Sequence, residues 1–152
     1  MYRYQHILAA IDFADTSHTV VQRARELTEH YDARLSLLHV VEEIPLGAEP
    51  FGDTSSLLLT EELHQQQLTA AKDDLQLLAL QFNLPLHVEQ AVTEGFTTSS
   101  ILAFAEHKQV DLIVLAHSGK KGFLGFLGST ADAVVKSAHC DVLVIRTKAT
   151  DS

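Results

Sequence analysis

The residues best equipped for chemistry lie in one late stretch, Ala116-His117-Ser118-Gly119-Lys120-Lys121-Gly122-Phe123-Leu124-Gly125-Phe126-Leu127-Gly128-Ser129-Thr130. Four of the chain's 7 glycines fall here. Glycine lets backbone amides turn toward a ligand without side-chain interference. Gly128-Ser129 then opens a helical stretch, and the free N–H groups of a helix start favour an anion. Lys120 and Lys121 add positive charge beside them. Together these features describe a phosphate cradle. The plainer alternative is a flexible turn closed by a Gly-Ser helix cap. The spacing is neither that of a P-loop nor that of a dinucleotide fingerprint. Ser118 is not a nucleophile elbow, because Ala116 and Lys120 occupy the required glycine positions.

A second candidate is Asp12, an acid that ends the apolar run His6-Ile7-Leu8-Ala9-Ala10-Ile11. It reads either as a functional acid at a strand end or as a turn acid before Thr16-Ser17. The 9 histidines form no His-x-His or His-x-x-x-His pair, and Cys140 has no cysteine partner, so no zinc site is expected. His39 and His139 read as packing or surface residues; His117 stands apart because it begins the glycine-rich loop. A phosphorylatable receiver domain needs an acceptor Asp after its third strand and a Lys after its fifth. Thr93-Glu94 and Lys148 are poor substitutes.

The elements that must position these groups alternate regularly. Apolar strands are expected at His6–Asp12, Arg34–Val41, Leu86–Val92, Asp111–Ala116 and Val142–Ile145. Between them Val20, Val21, Ala24 and Leu27 recur at helical spacing, as do Leu68, Ala71, Leu75, Leu78 and Phe82. Thr97 or Thr98 is a candidate cap for a helix facing inward through Ile101, Leu102 and Ala105. A further helix is expected from Ser129 to Ala138. Residues 42–57 carry the longest loop-like composition, and Gln65-Gln66-Gln67 reads as solvent-facing helix. The βαβαβαβαβ pattern predicts a five-stranded parallel sheet, doubly wound, with ligands beyond the carboxyl ends of its strands where the order reverses.

Bulk properties narrow the partners. A chain of 152 residues fits one domain, here 1–148 with a short tail at 149–152. A formal net charge of −9 argues against nucleic acid and anionic membrane. No apolar run approaches the ~20 residues of a membrane span, so no membrane insertion is expected. One cysteine allows no intrachain disulfide, and no leader pattern opens the chain. The expected location is cytoplasmic.

In order and spacing, four blocks resemble the universal stress protein family. They are His6–Asp12, Leu37-Leu38-His39-Val40, Asp111–Leu115, and Gly128-Ser129-Thr130-Ala131 through Cys140-Asp141-Val142-Leu143-Val144-Ile145-Arg146. The resemblance covers nearly the whole chain. It implies an adenine nucleotide alpha hydrolase-like sheet of strand order 3-2-1-4-5. It also implies a regulatory protein of the stress response that binds ATP, or ADP or AMP, with Mg2+ as companion ion. The nucleotide-binding branch carries Gly-x2-Gly-x9-Gly-Ser/Thr. Here Ala116 stands at the first glycine, Gly119 matches the second, and eight residues rather than nine precede Gly128-Ser129. Carried over, Ala10, Ile11 and Asp12 belong to the adenine and ribose end, with Val40 beside the base. Ala116 and His117 flank the ribose. Gly119, Gly128, Ser129 and Thr130 hold phosphates, with Lys120 as charge partner. The resemblance further implies a homodimer through the last strand, Asp141, Val142, Leu143, Val144, Ile145 and Arg146, and an unidentified protein partner. Two competing expectations remain: a nucleotide-free dimeric interaction module, motivated by Ala116 and the shortened loop, and a slow ATPase resting on Asp12 alone. No catalytic residue and no metal ligand is assigned.

Overall fold

A computed structural model describes residues 3–42, 54–117 and 129–146, with backbone alone for 54–60 and Ser129. Its elements alternate from end to end: β1 (His6–Ala10), α1 (Ser17–Tyr31), β2 (Arg34–Glu42), α2 (Thr54–Gln81), β3 (Glu89–Gly95), α3 (Thr97–His107), β4 (Leu112–Ala116), α4 (Ser129–Ser137) and β5 (Asp141–Ile145). All strand pairs are parallel, in the order β3-β2-β1-β4-β5. The expected five-stranded, doubly wound α/β sheet of order 3-2-1-4-5 is therefore what forms.

The strand sequences explain why both faces are covered. β1 reads His-Ile-Leu-Ala-Ala with no polar alternation, which is the pattern of a strand buried on both sides. On one face Ile7, Ala9, Leu35, Leu37 and Val114 pack against Val20, Val21 and Ala24 of α1 and Leu75 and Leu78 of α2. On the other, Leu8, Leu38, Val40, Ile113 and Leu115 pack against Ile101 and Ala105 of α3 and Ala131 and Val134 of α4. The first three strands progress in one direction; β4 then returns to the opposite side of β1. The order reverses between β1 and β4, which is the position where sheets of this kind bind ligands.

Three local expectations are corrected. β3 begins at Glu89, not Leu86. Pro85 starts a tight turn that Val88 N–H closes onto the Pro85 carbonyl at 3.1 Å, so Leu86 is left fully exposed instead of entering the sheet. The residue preceding α3 is Phe96, with no side-chain cap; Thr97 Oγ1 instead donates to Glu42 Oε1 at 2.7 Å, tying α3 to the end of β2. Residues 54–57, read as loop, belong to α2. Between β3 and α3 the chain turns through Gly95 at φ +140°, where an added Cβ would meet Ser100 Oγ at 2.9 Å. A glycine is needed there on both counts.

Candidate functional site

The register of the sheet assembles the site. β1 pairs β2 with Ala10 opposite Leu38, and pairs β4 with Ala9 opposite Val114. Asp12 follows β1 by two residues and His117 follows β4 directly, so both lie just past the carboxyl ends of neighbouring strands, with Val40 near the end of β2 on the other side of β1. The β1–β2 pairing continues to Ile11, whose N–H donates to Leu38 O at 2.8 Å, and the β4–β5 pairing to His117, whose N–H donates to Ile145 O at 2.8 Å.

Asp12 is exposed. Its Oδ1 accepts the Ala14 N–H and the Ser17 hydroxyl, both at 3.0 Å. The turn role weighed from sequence is therefore real, and it engages only one carboxylate oxygen. Oδ2 has no partner among the described residues. One acid thus fastens the start of α1 and still offers an acceptor at the carboxyl edge. Of its expected neighbours, Ile11 and Val40 are buried, at 4% and 7% exposure, while Ala10, Ala116, His117 and Thr130 are half-buried. Gly119, Lys120 and Gly128 lie outside the described residues, as does the rest of the loop from 118 to 128. Ser129 is described only as the first residue of α4.

His39 is the residue that sequence reasoning missed. Its Nδ1 lies 2.6 Å from the Ile11 carbonyl. A carbonyl can only accept, so Nδ1 carries the proton. The ring also packs on Phe13 at 4.4 Å between centroids. Phe13 itself takes a left-handed backbone, φ +60°, which a bulky residue adopts only when its surroundings hold it there. Phe13, His39, Val40, Glu42, Ala71 and Asp74 are among the residues lining an open groove of about 360 Å³ between β2 and α2. No local motif signals His39, because its partner is 28 residues away.

The other end of the sheet is built differently. His6 is 3% exposed. Its Nδ1 lies 3.1 Å from the Lys108 carbonyl and its Nε2 lies 2.7 Å from Ser36 Oγ. Ser36 Oγ is also 3.1 Å from Glu89 Oε1, whose other oxygen pairs with Lys108 Nζ at 3.3 Å. Asp111 accepts the Gln5 and His6 N–H groups. Burial lowers the His6 pKa below 6.5; the nearby Arg34 guanidinium adds to this, and the Lys108 carbonyl, Glu89 and Asp111 oppose it. Near this end α3, α4, β4 and the approach to β5 also enclose a cavity of about 180 Å³ beside half-buried Cys140. Burial, then Asp111 and Asp141, push that thiol upward, away from nucleophilic use at neutral pH.

A doubly wound parallel sheet of order 3-2-1-4-5, with helices on both faces, defines the class of α/β domain. Within that class, the chain belongs to the universal stress protein family, whose family model matches residues 3–146. It is 33% identical over 142 residues to universal stress protein A homolog 1 of Coxiella burnetii, covering 93% of this chain and 96% of that one. The solved universal stress protein UspA from Lactobacillus plantarum superposes with a TM-score of 0.72 at 26% identity, covering 96% of this chain and all of the other. A further universal stress protein, solved in complex with cAMP, has the same fold, with a TM-score of 0.64 at 20% identity over 97% of this chain and 100% of that one. Among the described residues no helix is long and apolar enough to cross a membrane.

Proposed function

We propose that this protein is a cytoplasmic regulator of the stress response that binds an adenine nucleotide at the carboxyl edge of its sheet. One observation carries the reading: the strand order reverses between β1 and β4, and Asp12 and His117 follow the carboxyl ends of these two neighbouring strands. The cAMP complex of a related fold supports an adenine ligand. The Asp12 Oδ2, which has no partner among the described residues, suits a ribose hydroxyl, a donor that a carboxylate can accept. In this reading Ala10, Ile11, Asp12, Val40, Ala116 and His117 receive the nucleoside. Gly119, Lys120, Gly128, Ser129 and Thr130 receive the phosphates of ATP, or of ADP or AMP, with Mg2+ balancing their charge. Calorimetric titration with ATP and Mg2+ tests the reading. Measurable heat and a thermal shift are expected; neither, at millimolar ligand, overturns it. Any hydrolysis is slow, since Asp12 is the one acid assigned to the site and phosphoryl transfer requires a positioned water as well as a metal.

The protein acts as a homodimer joined through Asp141–Arg146 and passes its bound state to a protein partner. β5 is an edge strand whose Val142, Leu143 and Val144 stay half-buried, and an apolar edge of this kind invites pairing. A second reading, a nucleotide-free interaction module, is favoured by Ala116, whose Cβ occupies a strand end where the nucleotide-binding branch has glycine. Ala116→Gly separates the two: new ATP affinity from a non-binding parent supports the module.

A further inference from the structure

We propose that His39 is a positioning residue for Asp12: one imidazole holds both sequence neighbours of that acid and so sets where its free carboxylate oxygen points. The proposal rests on the nucleotide reading for its functional consequence, but its geometry stands apart from it. The chain must leave β1 at Ala10 and enter α1 at Ser17, with an exposed acid presented between. Ile11, before the acid, offers its carbonyl to His39 Nδ1–H at 2.6 Å. Phe13, after the acid, lays its ring on the same imidazole at 4.4 Å. The left-handed backbone at Phe13 costs free energy that a bulky residue does not spend without a compensating contact. The ring contact with His39 is that compensation. It reverses the chain sharply enough for Ala14 N–H to reach Asp12 Oδ1 at 3.0 Å.

His39 is well placed for this task. It lies on β2, the neighbour of β1, and the adjacent Val40 points into the α3–α4 core. Successive strand residues face opposite ways, so His39 reaches the chain from the α1–α2 side. It therefore supports Asp12 from the side of β2, away from the reversal between β1 and β4. The tautomer that donates from Nδ1 also leaves Nε2 without a hydrogen-bond partner among the described residues. The second ring nitrogen is not needed for the clamp, so an asparagine, whose amide N–H falls near the position of Nδ1–H, is the conservative replacement.

The test uses the whole chain with ATP and Mg2+ as the probe. Nitrogen NMR of the wild type is expected to show a proton on His39 Nδ1. His39→Leu is expected to weaken ATP binding about tenfold, the worth of one hydrogen bond. It should also speed amide exchange at Ala14 with little change in the urea midpoint. His39→Asn, which returns the hydrogen bond to the Ile11 carbonyl but not the ring contact with Phe13, is expected to recover part of the affinity and part of the Ala14 protection lost in His39→Leu, a rescue that general loosening of the strand end would not produce. A proton on Nε2 alone, or a leucine variant with unchanged affinity and unchanged Ala14 exchange, overturns the proposal. Should the wild type bind no ATP, the nucleotide reading fails. The His39 tautomer and the Ala14 exchange rates of the two variants then decide the clamp by themselves.

Discussion

His6 and His39 occupy opposite ends of the same sheet and make the same first contact, an Nδ1 nitrogen against a backbone carbonyl. Beyond that contact they diverge. His6 is sealed, and its Nε2 meets Ser36, itself beside Glu89. Its Nδ1 also has Arg34 Nη2 at 3.4 Å, and Ser36 Oγ donates to Glu89, which pairs with Lys108. His39 is half-buried, sits on an aromatic ring, lines a groove, and keeps one nitrogen without a described partner. The difference separates a structural histidine from one at a candidate site. A group whose polar atoms are all engaged stabilises the fold, whereas unused capacity beside an opening serves a ligand or the residues that meet one. The amino ends of the strands are joined by a buried polar network, whereas the carboxyl ends also carry exposed side-chain bonds, such as Thr97 to Glu42.

Mutations can break this contrast. The largest effect is expected for His6→Ala, which empties a buried site and strands the Lys108 carbonyl and Ser36. It should cost roughly 3 kcal/mol in urea unfolding, while ATP titration of the folded variant changes little. At the carboxyl edge Gly95→Ala should cost about 2 kcal/mol, because the backbone there is strained for any side chain and the added methyl meets Ser100 Oγ. Thermal denaturation with and without Ser100→Ala checks the steric part. Asp12→Ala should cost about 1 kcal/mol by freeing the start of α1 and should abolish nucleotide binding. Asp12→Asn keeps the turn acceptor and should recover the stability without the affinity. An Asn variant as unstable as the Ala variant would mean that the turn does not depend on Oδ1.

The smallest expected effect is on pH dependence. Folding lowers the His6 pKa from 6.5, so the unfolded chain binds the extra proton first. Stability from this group is full above pH 6.5 and declines as pH falls from there through the lower folded value. Urea midpoints between pH 7.5 and roughly 5 should therefore fall on the acid side, and His6→Gln should flatten that slope. A slope unchanged by His6→Gln would assign it to other groups.

Much of the fold was legible because buried parallel strands are apolar throughout and the helices between them keep a strict period. Val20, Val21 and Ala24 face inward as their spacing predicts, and Gln65, Gln66 and Gln67 are exposed. The errors arose where specific hydrogen bonds, one local and one between distant residues, outcompeted the pattern. The turn closed by Pro85 delays β3, and Glu42 draws Thr97 away from a capping role. Asp12 was visible as a candidate because a lone acid closing an apolar run stands out. Its division of labour, one oxygen in the turn and one left over, was not visible, because it depends on where Ser17 lands.

By itself the sequence determined the element order, the parallel sheet, and the family with its candidate residues, since these depend on local period, composition and the spacing of short blocks. Only the tertiary structure decided which residues meet. Asp12, Val40 and His117 are gathered at one edge of the sheet because β2 and β4 both pair with β1, and no one-dimensional spacing encodes which strands become neighbours. Nor do the histidines' roles follow from their type. His6 closes a network with a carbonyl 102 residues away and His39 grips one 28 residues away. Hydrogen bonding and burial are properties of neighbours, and folding alone assigns neighbours.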